Sequence, residues 1–426
     1  MSSSVVNLPA YGDPHSSRKS PLSWCQELDL AIWLCAFANF INSADRVIMP
    51  IAITSLSTDN DYTLVQQGWI LSAFPAGYIS SQIIGSCISS RWSSRRVLFI
   101  VVMLWSLSTV VTPFVASSFY LLVSSRIILG LGEGFGLPTM YHILAEGVPV
   151  NKRTSAFAYL TASGSAGQTI AAIICPLLYW KVNFYVFGCL GLYWCLLWNN
   201  SNVGLNSSSS SDSVLLLHKV KSPFRSWDRF IRLSPLLAIY VAHFCMNWTA
   251  YVIMHWLPTY LRLVFSADPS AISLAALPYV INTVMSIGTG HAVDSMLNSG
   301  RISLRNARIY STVLGLVLPA AFLVAFAFVK NVYLAIILIS MSMGALAFNA
   351  AGHLSNHVDV APKFSGITFA ISNTIATLPG LTVGPLTAHL VISSAGLWWP
   401  SFIIAAVLNV IGSVIYIRFA CTEQIL

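Results

Sequence analysis

The feature that most constrains this chain is the recurrence, over nearly its whole length, of apolar runs long enough to cross a bilayer. Val97 to Val115 and Ile309 to Val329 each pass without one Asp, Glu, Lys or Arg. A helix rising 1.5 Å per residue needs about 20 apolar residues to cross the hydrocarbon layer. Twelve such helices would use roughly 240 of the 426 residues, leaving under half the chain for loops and tails. Charged residues make up 8% of the chain, about a third of the usual share in soluble domains, and mean hydropathy is +0.73. A water-soluble protein and a large extramembrane domain are both excluded. A transmembrane β-barrel would show alternating segments of about ten residues instead. The expectation is an all-α, multi-pass membrane protein.

The apolar pattern places spans at Leu30 to Leu56, Gly68 to Ser89, Val97 to Val115, Phe119 to Leu144, Ala156 to Leu178 and Asn183 to Leu197. After a polar gap come Ser234 to Leu261, Ser270 to Val293, Ala307 to Val329, Val332 to Leu354, Gly366 to Val391 and Leu397 to Phe419. The gap carries the serine run Ser207 to Ser211 and reads as a flexible linker. The expected division is a tail over residues 1–27, a six-helix bundle over 28–198, a linker over 199–232, a second bundle over 233–420 and a short tail over 421–426.

The net charge of +8 would suggest nucleic acid in a soluble chain, but here location matters more than sum. With the N-terminus in the cytoplasm, that side holds seventeen of the 22 basic residues, among them Arg18, Arg91, Arg95, Lys152, Lys219, Arg301, Arg308 and Arg418. The opposite side holds Lys181, Arg262 and Lys330. The positive-inside rule therefore puts both termini in the cytoplasm and makes the basic excess a matter of topology, with no nucleic-acid partner expected. It leaves plasma and organellar membranes equally open. The sequons at Asn199 and Asn206 fall in the cytoplasmic linker, so their glycosylation would contradict this orientation. The eight cysteines form no CxxC pair and imply neither a disulfide framework nor a zinc ribbon. Residues Ser2 to Ser23 lack the apolar core of a signal peptide.

Two loop patterns occur once in each half, in the same order. Gly85-Ser-Cys-Ile-Ser-Ser-Arg91 through Arg96 follows the second span, and Gly290-His-Ala-Val-Asp294 through Arg301 follows the eighth. Glu146-Gly-Val-Pro149 with Lys152 and Arg153 follows the fourth, and Asp359-Val-Ala-Pro362 with Lys363 follows the tenth. A six-plus-six internal duplication accounts for this correspondence.

With further motifs inside the spans, the sequence resembles the major facilitator superfamily over roughly Asn42 to Val391. Within it, the anion:cation symporter branch is indicated, which holds vesicular organic-anion, plant organellar phosphate and bacterial sugar-acid transporters. The motifs are Asn42-Ser-Ala-Asp45-Arg46-Val, Ser125-Arg126 through Gly130-Leu-Gly132-Glu133-Gly134 with Pro138, and His243-Phe-Cys-Met-Asn247-Trp248 through Trp256-Leu-Pro258-Thr-Tyr260. Asp294 to Arg308, Ser355-Asn356-His357-Val-Asp359-Val-Ala-Pro362 with Gly366, and Ser372-Asn373-Thr374 complete the set. The resemblance implies two pseudo-symmetric six-helix bundles rocking about a central site.

Ionisable groups within spans are costly and are functional candidates on that ground alone. Asp45 and Arg46 point about 100° apart on the first helix, whereas Arg126 and Glu133, seven apart, share a face. Arg46 offers a planar, permanent fork to a carboxylate or phosphate and is the expected substrate anchor. Glu133 could exchange a proton as Arg126 approaches or leaves it, and Asp45 could do so beside Arg46. These three, Asp45, Arg126 and Glu133, are the expected coupling residues. A purely structural ion-pair network orienting the helices is the alternative. The resemblance agrees on the arginine of the first span and the acid of the fourth. It also places Tyr78, Gln168 and Asn373 near substrate, although interhelical hydrogen bonding would explain them equally, and it makes His357 and Asp359 part of a cytoplasmic gate.

The run Gly130-Leu-Gly132-Glu-Gly134-Phe-Gly136 lacks the strand that a dinucleotide loop requires and reads as a close-packing surface. His353, His357 and Asp359 have too few companions for a metal or catalytic centre, so no metal, cofactor or catalytic residue is expected beyond a coupling H⁺ or Na⁺. His142 and His243 read as packing histidines. Against the family pattern, Met246 stands where vesicular glutamate carriers have an arginine, and Ser90, Ser93 and Ser94 stand where an Asp and glycines are usual. The expected function is secondary active transport of a small anion, inorganic phosphate ahead of small organic carboxylates, by a monomer in the bilayer. A transporter-like sensor without sustained flux and a membrane-embedded enzyme are the competing readings.

Overall fold

The computed structural model describes residues 21–89, 93–148, 150–201 and 227–426. The described residues fold into twelve long helices. The first six are α1 (Pro21–Asp59), α2 (Leu64–Ser89), α3 (Ser94–Val115), α4 (Phe119–Gly147), α5 (Val150–Ile174) and α6 (Trp180–Asn200). The second six are α7 (Ser234–Phe265), α8 (Leu277–Asn298), α9 (Leu304–Phe326), α10 (Val332–Leu346), α11 (Ser365–Ser393) and α12 (Trp399–Phe419). Among the described residues ten helical stretches are long and apolar enough to cross a membrane. The helices α1 and α2 fall outside that set; α1 is one continuous helix whose apolar run carries Asp45 and Arg46.

Helix α1 begins at Pro21, inside the expected tail, and a short helix, Trp227–Arg232, ends the expected linker. The tail up to residue 20, linker residues 202–226 with the serine run and Asn206, and Ser90 lie outside the described residues. The tenth span is not one continuous helix. After Leu346 the chain tightens into a 3₁₀ turn at Ala347–Ala350 and restarts as the short helix His353–Val360. Its apolar pattern runs on through this break, which is why composition alone gave a single span to Leu354.

Packing repeats with an offset of six helices. In the first half α1 packs on α5 and α6, α2 on α4, and α3 on α4 and α6. In the second half α7 packs on α11 and α12, α8 on α10, and α9 on α10 and α12. The loop arginines follow the same symmetry. Arg95, at the start of α3, donates to the carbonyls of Trp198 (2.8 Å) and Ser201 (2.6 Å) at the end of α6. Arg305, at the start of α9, donates to Ala420 O at the end of α12 (3.4 Å). Each supplies a cation to a helix C-terminus, where carbonyls lack intrahelical donors.

Small residues set the closest approaches. Gly77 on α2 abuts the Ile127 carbonyl of α4, and Gly130 on α4 abuts the Phe74 carbonyl of α2. A Cβ at Gly130 would also stand 2.8 Å from Tyr78 N. The glycine run thus serves two neighbours, because Gly136 faces the Trp105 ring of α3 while Gly134 faces Ser81 of α2.

The buried apolar side chains form three clusters, and their distribution fixes the conformation. One belongs to the first half alone and gathers residues near the terminus-bearing ends, such as Ala38, Leu98, Trp105, Met140 and Trp198. A second belongs to the second half alone, with Ile239, Cys245, Leu316, Val360 and Tyr416. The third is shared: Ile48, Ile53 and Leu56 of α1 and Ile70 and Leu71 of α2 join Ile253, Trp256 and Tyr260 of α7 and Val383 of α11. The halves are therefore welded at the face away from both termini, here called the far side, and have separate cores at the other. At the far side Gly68 of α2 and Gly384 of α11 meet backbone to backbone. Arg262 of α7 reaches Ser55 Oγ of α1 (3.3 Å), and Ser273 Oγ donates to Ile173 O (3.0 Å). Exposed aromatics ring the far-side helix ends, with Phe114, Tyr120, Tyr179, Phe328 and Tyr333 facing outward as interfacial anchors do.

Candidate substrate and coupling site

The four ionisable residues singled out inside the spans converge between α1, α3 and α4. Arg46 Nε donates to Glu133 Oε2 at 2.9 Å, and Arg46 Nη2 donates to Asn42 Oδ1 at 3.2 Å. The guanidinium lies over the Tyr78 ring, 4.8 Å from its centroid, with Phe74 at 5.5 Å. Arg46 keeps a quarter of its side chain exposed while Glu133 has none. The arginine is thus held from one edge by an acid and from one face by aromatics, which fixes its plane and leaves part of its fork free.

This pairing differs from the one expected from spacing. Glu133 pairs with Arg46, not Arg126. Seven residues along a helix restore the same face but separate the two side chains by about 10 Å along the axis, too far for an ion pair, and α1 supplies a nearer cation. Arg126 instead turns toward α3 and α6. Its Nη2 donates to Thr112 Oγ1 and to Ser108 O (3.4 Å), and its guanidinium sits 5.4 Å from the Phe184 ring. Asp45 receives a long hydrogen bond from Thr109 Oγ1 (3.4 Å) and interacts electrostatically with Arg126 and Glu133. All three buried members retain bare polar atoms: Asp45 Oδ1, Arg126 Nε and Glu133 Oε1 have no hydrogen-bond partner among the described residues, and neither does Asn42 Nδ2. So many unsatisfied buried groups in one place are uncommon where a cluster is only structural.

Of the remaining candidates, Tyr78 is in place beneath Arg46. Gln168 on α5 and Asn373 on α11 are half-buried, one in each half, and among the described residues neither hydrogen-bonds through its side chain to the charged cluster. The second half reaches toward the site through α7. Tyr251 interacts electrostatically with Arg46 and Tyr78, and His255, one turn further on, lines a small cavity together with Asp45, Arg46 and Arg126. Neither Tyr251 nor His255 was singled out from sequence. A lone histidine or tyrosine in an apolar helix carries no periodic or charge signal to separate it from packing residues.

The expected gate residues are held within their own half. Asp359 accepts both arms of Arg308, at 2.6 Å (Nε) and 3.3 Å (Nη2), and Arg308 Nη1 also donates to Ala351 O at 2.8 Å. His357 Nδ1 shares a hydrogen bond with Thr368 Oγ1 (3.1 Å), and its ring stacks on Tyr240. Neither bridges to the first half among the described residues, as expected where the halves have separate cores. His243 bonds Ser372 Oγ (2.8 Å) and lies beside His353, so the histidines disperse among separate partners. Among the described residues no group of three His, Cys, Asp or Glu side chains could hold a metal ion.

Two pseudo-symmetric helical bundles with a buried ionic cluster inside the first have the architecture of a membrane transporter. The Major Facilitator Superfamily model matches residues 35–382, and the chain belongs to that family. It is a family of transporters rather than enzymes. The chain is 31% identical over 427 residues to the sodium-dependent phosphate transport protein 1, chloroplastic, of Arabidopsis thaliana, covering 95% of this chain and 82% of that one. It is 32% identical over 376 residues to human sialin, covering 84% and 76%. These similarities accord with the anion:cation symporter branch. In fold it is similar to a bacterial homologue of the human lysosomal transporter Spinster in an inward-facing, occupied conformation, with a TM-score of 0.76, 14% identity and coverage of 92% and 96%.

Proposed function

We propose that the protein is a secondary active transporter that moves a small anion by alternating access, with inorganic phosphate as the first candidate and small organic carboxylates as the second. The observation that carries this reading is the Arg46–Glu133 pair. A guanidinium on the inner face of the first bundle, backed by Tyr78 and only partly covered, is suited to bidentate capture of an oxyanion. The names of the relatives, a phosphate transport protein and sialin, support an anion without choosing between the two classes.

Coupling follows from the same pair. An anion that takes the Arg46 fork competes with Glu133 for it, and a buried carboxylate losing its hydrogen-bonded cation costs several kcal/mol. Protonation of Glu133 removes that cost, so anion and proton load together. Asp45, Arg46, Arg126 and Glu133 sum to zero charge, which leaves no surplus carboxylate for a Na⁺ ion and favours H⁺ as the driver. The basic loops support cytoplasmic placement of both termini, which puts the shared far-side core on the opposite side of the membrane.

The test is uptake of labelled phosphate into liposomes holding the purified protein, under an imposed pH gradient or a Na⁺ gradient, with unlabelled organic anions as competitors. Accumulation driven by the pH gradient is expected. Flux of an organic anion in place of phosphate would move the assignment to carboxylates, and binding without flux of any anion would make the protein a sensor.

A further inference from the structure

We propose that His255 of α7 is a substrate contact of the far-side route, the second-half group that meets the anion on its way to or from Arg46. The proposal rests on the transporter reading above and names a residue of that same site.

Two cavities each touch both α1 and α7. The outer one, about 310 Å³, is lined from α1 by Thr54 and Ser55 and from α7 by Arg262. The inner one, about 20 Å³, is lined from α1 by Asp45, Arg46 and Met49 and from α7 by Met254 and His255. The inner space has room for about one water, so it is a closed passage in this conformation and not a resting place for substrate. Along α7 the seven residues from His255 to Arg262 span about 10 Å, and along α1 the nine from Arg46 to Ser55 span roughly 13 Å. On α7 the two positions share a face, whereas on α1 Arg46 and Ser55 lie on opposite faces, so the inner cavity is separate from the outer one and meets the second half at Met254 and His255.

Among the described residues, His255 is the only titratable side chain that the second half contributes to the inner cavity. It is 2% exposed, and its Nδ1 has no hydrogen-bond partner among the described residues. Its one ring contact among those residues is an edge-on packing against Tyr251, with centroids 5.3 Å apart. A histidine held by packing alone, across a small cavity from Asp45, Arg46 and Arg126, forgoes a hydrogen bond that a buried polar group ordinarily has. When the halves part on the far side, the inner cavity widens between Arg46 and His255. The imidazole N–H then faces the guanidinium across the passage, and an oxyanion between them accepts from both halves at once. That gives the anion a differential affinity for the state in which the far side is closing, which is what couples binding to the movement.

The experiment compares wild type with His255→Ala and His255→Gln in proteoliposomes, using labelled inorganic phosphate and measuring KM and kcat separately for entry from the far side and from the terminus side. Unliganded thermal midpoints serve as the check on folding. Loss of a hydrogen bond to a charged ligand should raise KM from the far side roughly tenfold or more in His255→Ala, with a smaller effect from the terminus side. His255→Gln, which keeps an N–H donor at similar reach, should recover most of the affinity. Equal KM values for all three proteins would overturn the proposal while leaving the transporter reading intact. So would a loss that affects both directions equally and follows a lowered midpoint, since that marks a packing role. Absence of phosphate-dependent flux or ligand-induced thermal stabilisation in the wild type, with organic anions also silent, would overturn the transporter reading and this proposal with it.

Discussion

At the scale of single residues, the charged positions were legible in the sequence and their pairing was not. Asp45, Arg46, Arg126 and Glu133 stand out because an apolar helix tolerates such groups only for a reason. Their partners depend on how helices 87 positions apart in sequence are rotated and set against one another, which no spacing rule within one helix supplies. His255 carries no comparable signal, since nothing in its helix separates it from the packing histidine His243. The observed pairing makes two predictions. Arg46→Ala should abolish anion uptake and also destabilise the protein by about 3–5 kcal/mol, because it strands Glu133. The double variant Arg46→Ala/Glu133→Gln should regain much of the thermal midpoint without regaining uptake, and a midpoint no higher than in the single variant would show that the pair is not what holds α1 to α4. Glu133→Gln alone should preserve phosphate counterflow while flattening the dependence of net uptake on the pH gradient, read by comparing exchange with gradient-driven accumulation.

At the scale of helices, the span pattern was readable because twenty apolar residues have little choice in a bilayer. The break in the tenth span was not, because Ala347 to Gly352 are all small or apolar apart from Asn349, whose side chain caps the turn by donating to Gly315 O (2.7 Å) and Leu346 O (3.0 Å). Glycine tells the same story in two versions. At Gly130 an added side chain meets the backbone of α2, whereas at Gly366 nothing lies within 4 Å. Gly130→Val should therefore cost about 1–3 kcal/mol and lower the yield of folded protein. Gly366→Ala should be neutral or stabilising by up to about 1 kcal/mol, since it only removes freedom from the unfolded chain. Thermal unfolding in detergent distinguishes the two, and similar losses at both sites would contradict the packing described.

At the scale of the whole molecule, the duplicated loop patterns announced two six-helix halves, and the matching contacts with an offset of six helices realise them. The conformation was not readable, because one sequence must serve every state of the cycle. It became visible only through the partition of the core into one shared and two private clusters. The backbone contact between Gly68 and Gly384 is the seam that must open for the opposite state to form. Gly384→Val should push this seam apart and enrich the far-side-open state. Cys175 is buried in the wall of the outer cavity and carries a free thiol, so it reports on that change directly. Its reaction with a membrane-impermeant thiol reagent added from the far side should speed up in the variant, and an unchanged rate would count against the seam as the closing element.

The shared core also gives the transport cycle a thermal signature. Opening the far side wets apolar side chains of α1, α2, α7 and α11 that are dry in this conformation, so that part of the step contributes a positive heat-capacity change of the kind seen in unfolding. Attraction between those surfaces weakens as water cools. Chilling the protein should thus loosen its far-side closure while leaving each bundle folded, and Cys175 labelling, corrected for the intrinsic slowing of the thiol reaction, should rise relative to its value at room temperature. In this sense the molecule resembles a valve whose seal is made of the same material as its interior, and whose grip is set by the solvent on either side of it.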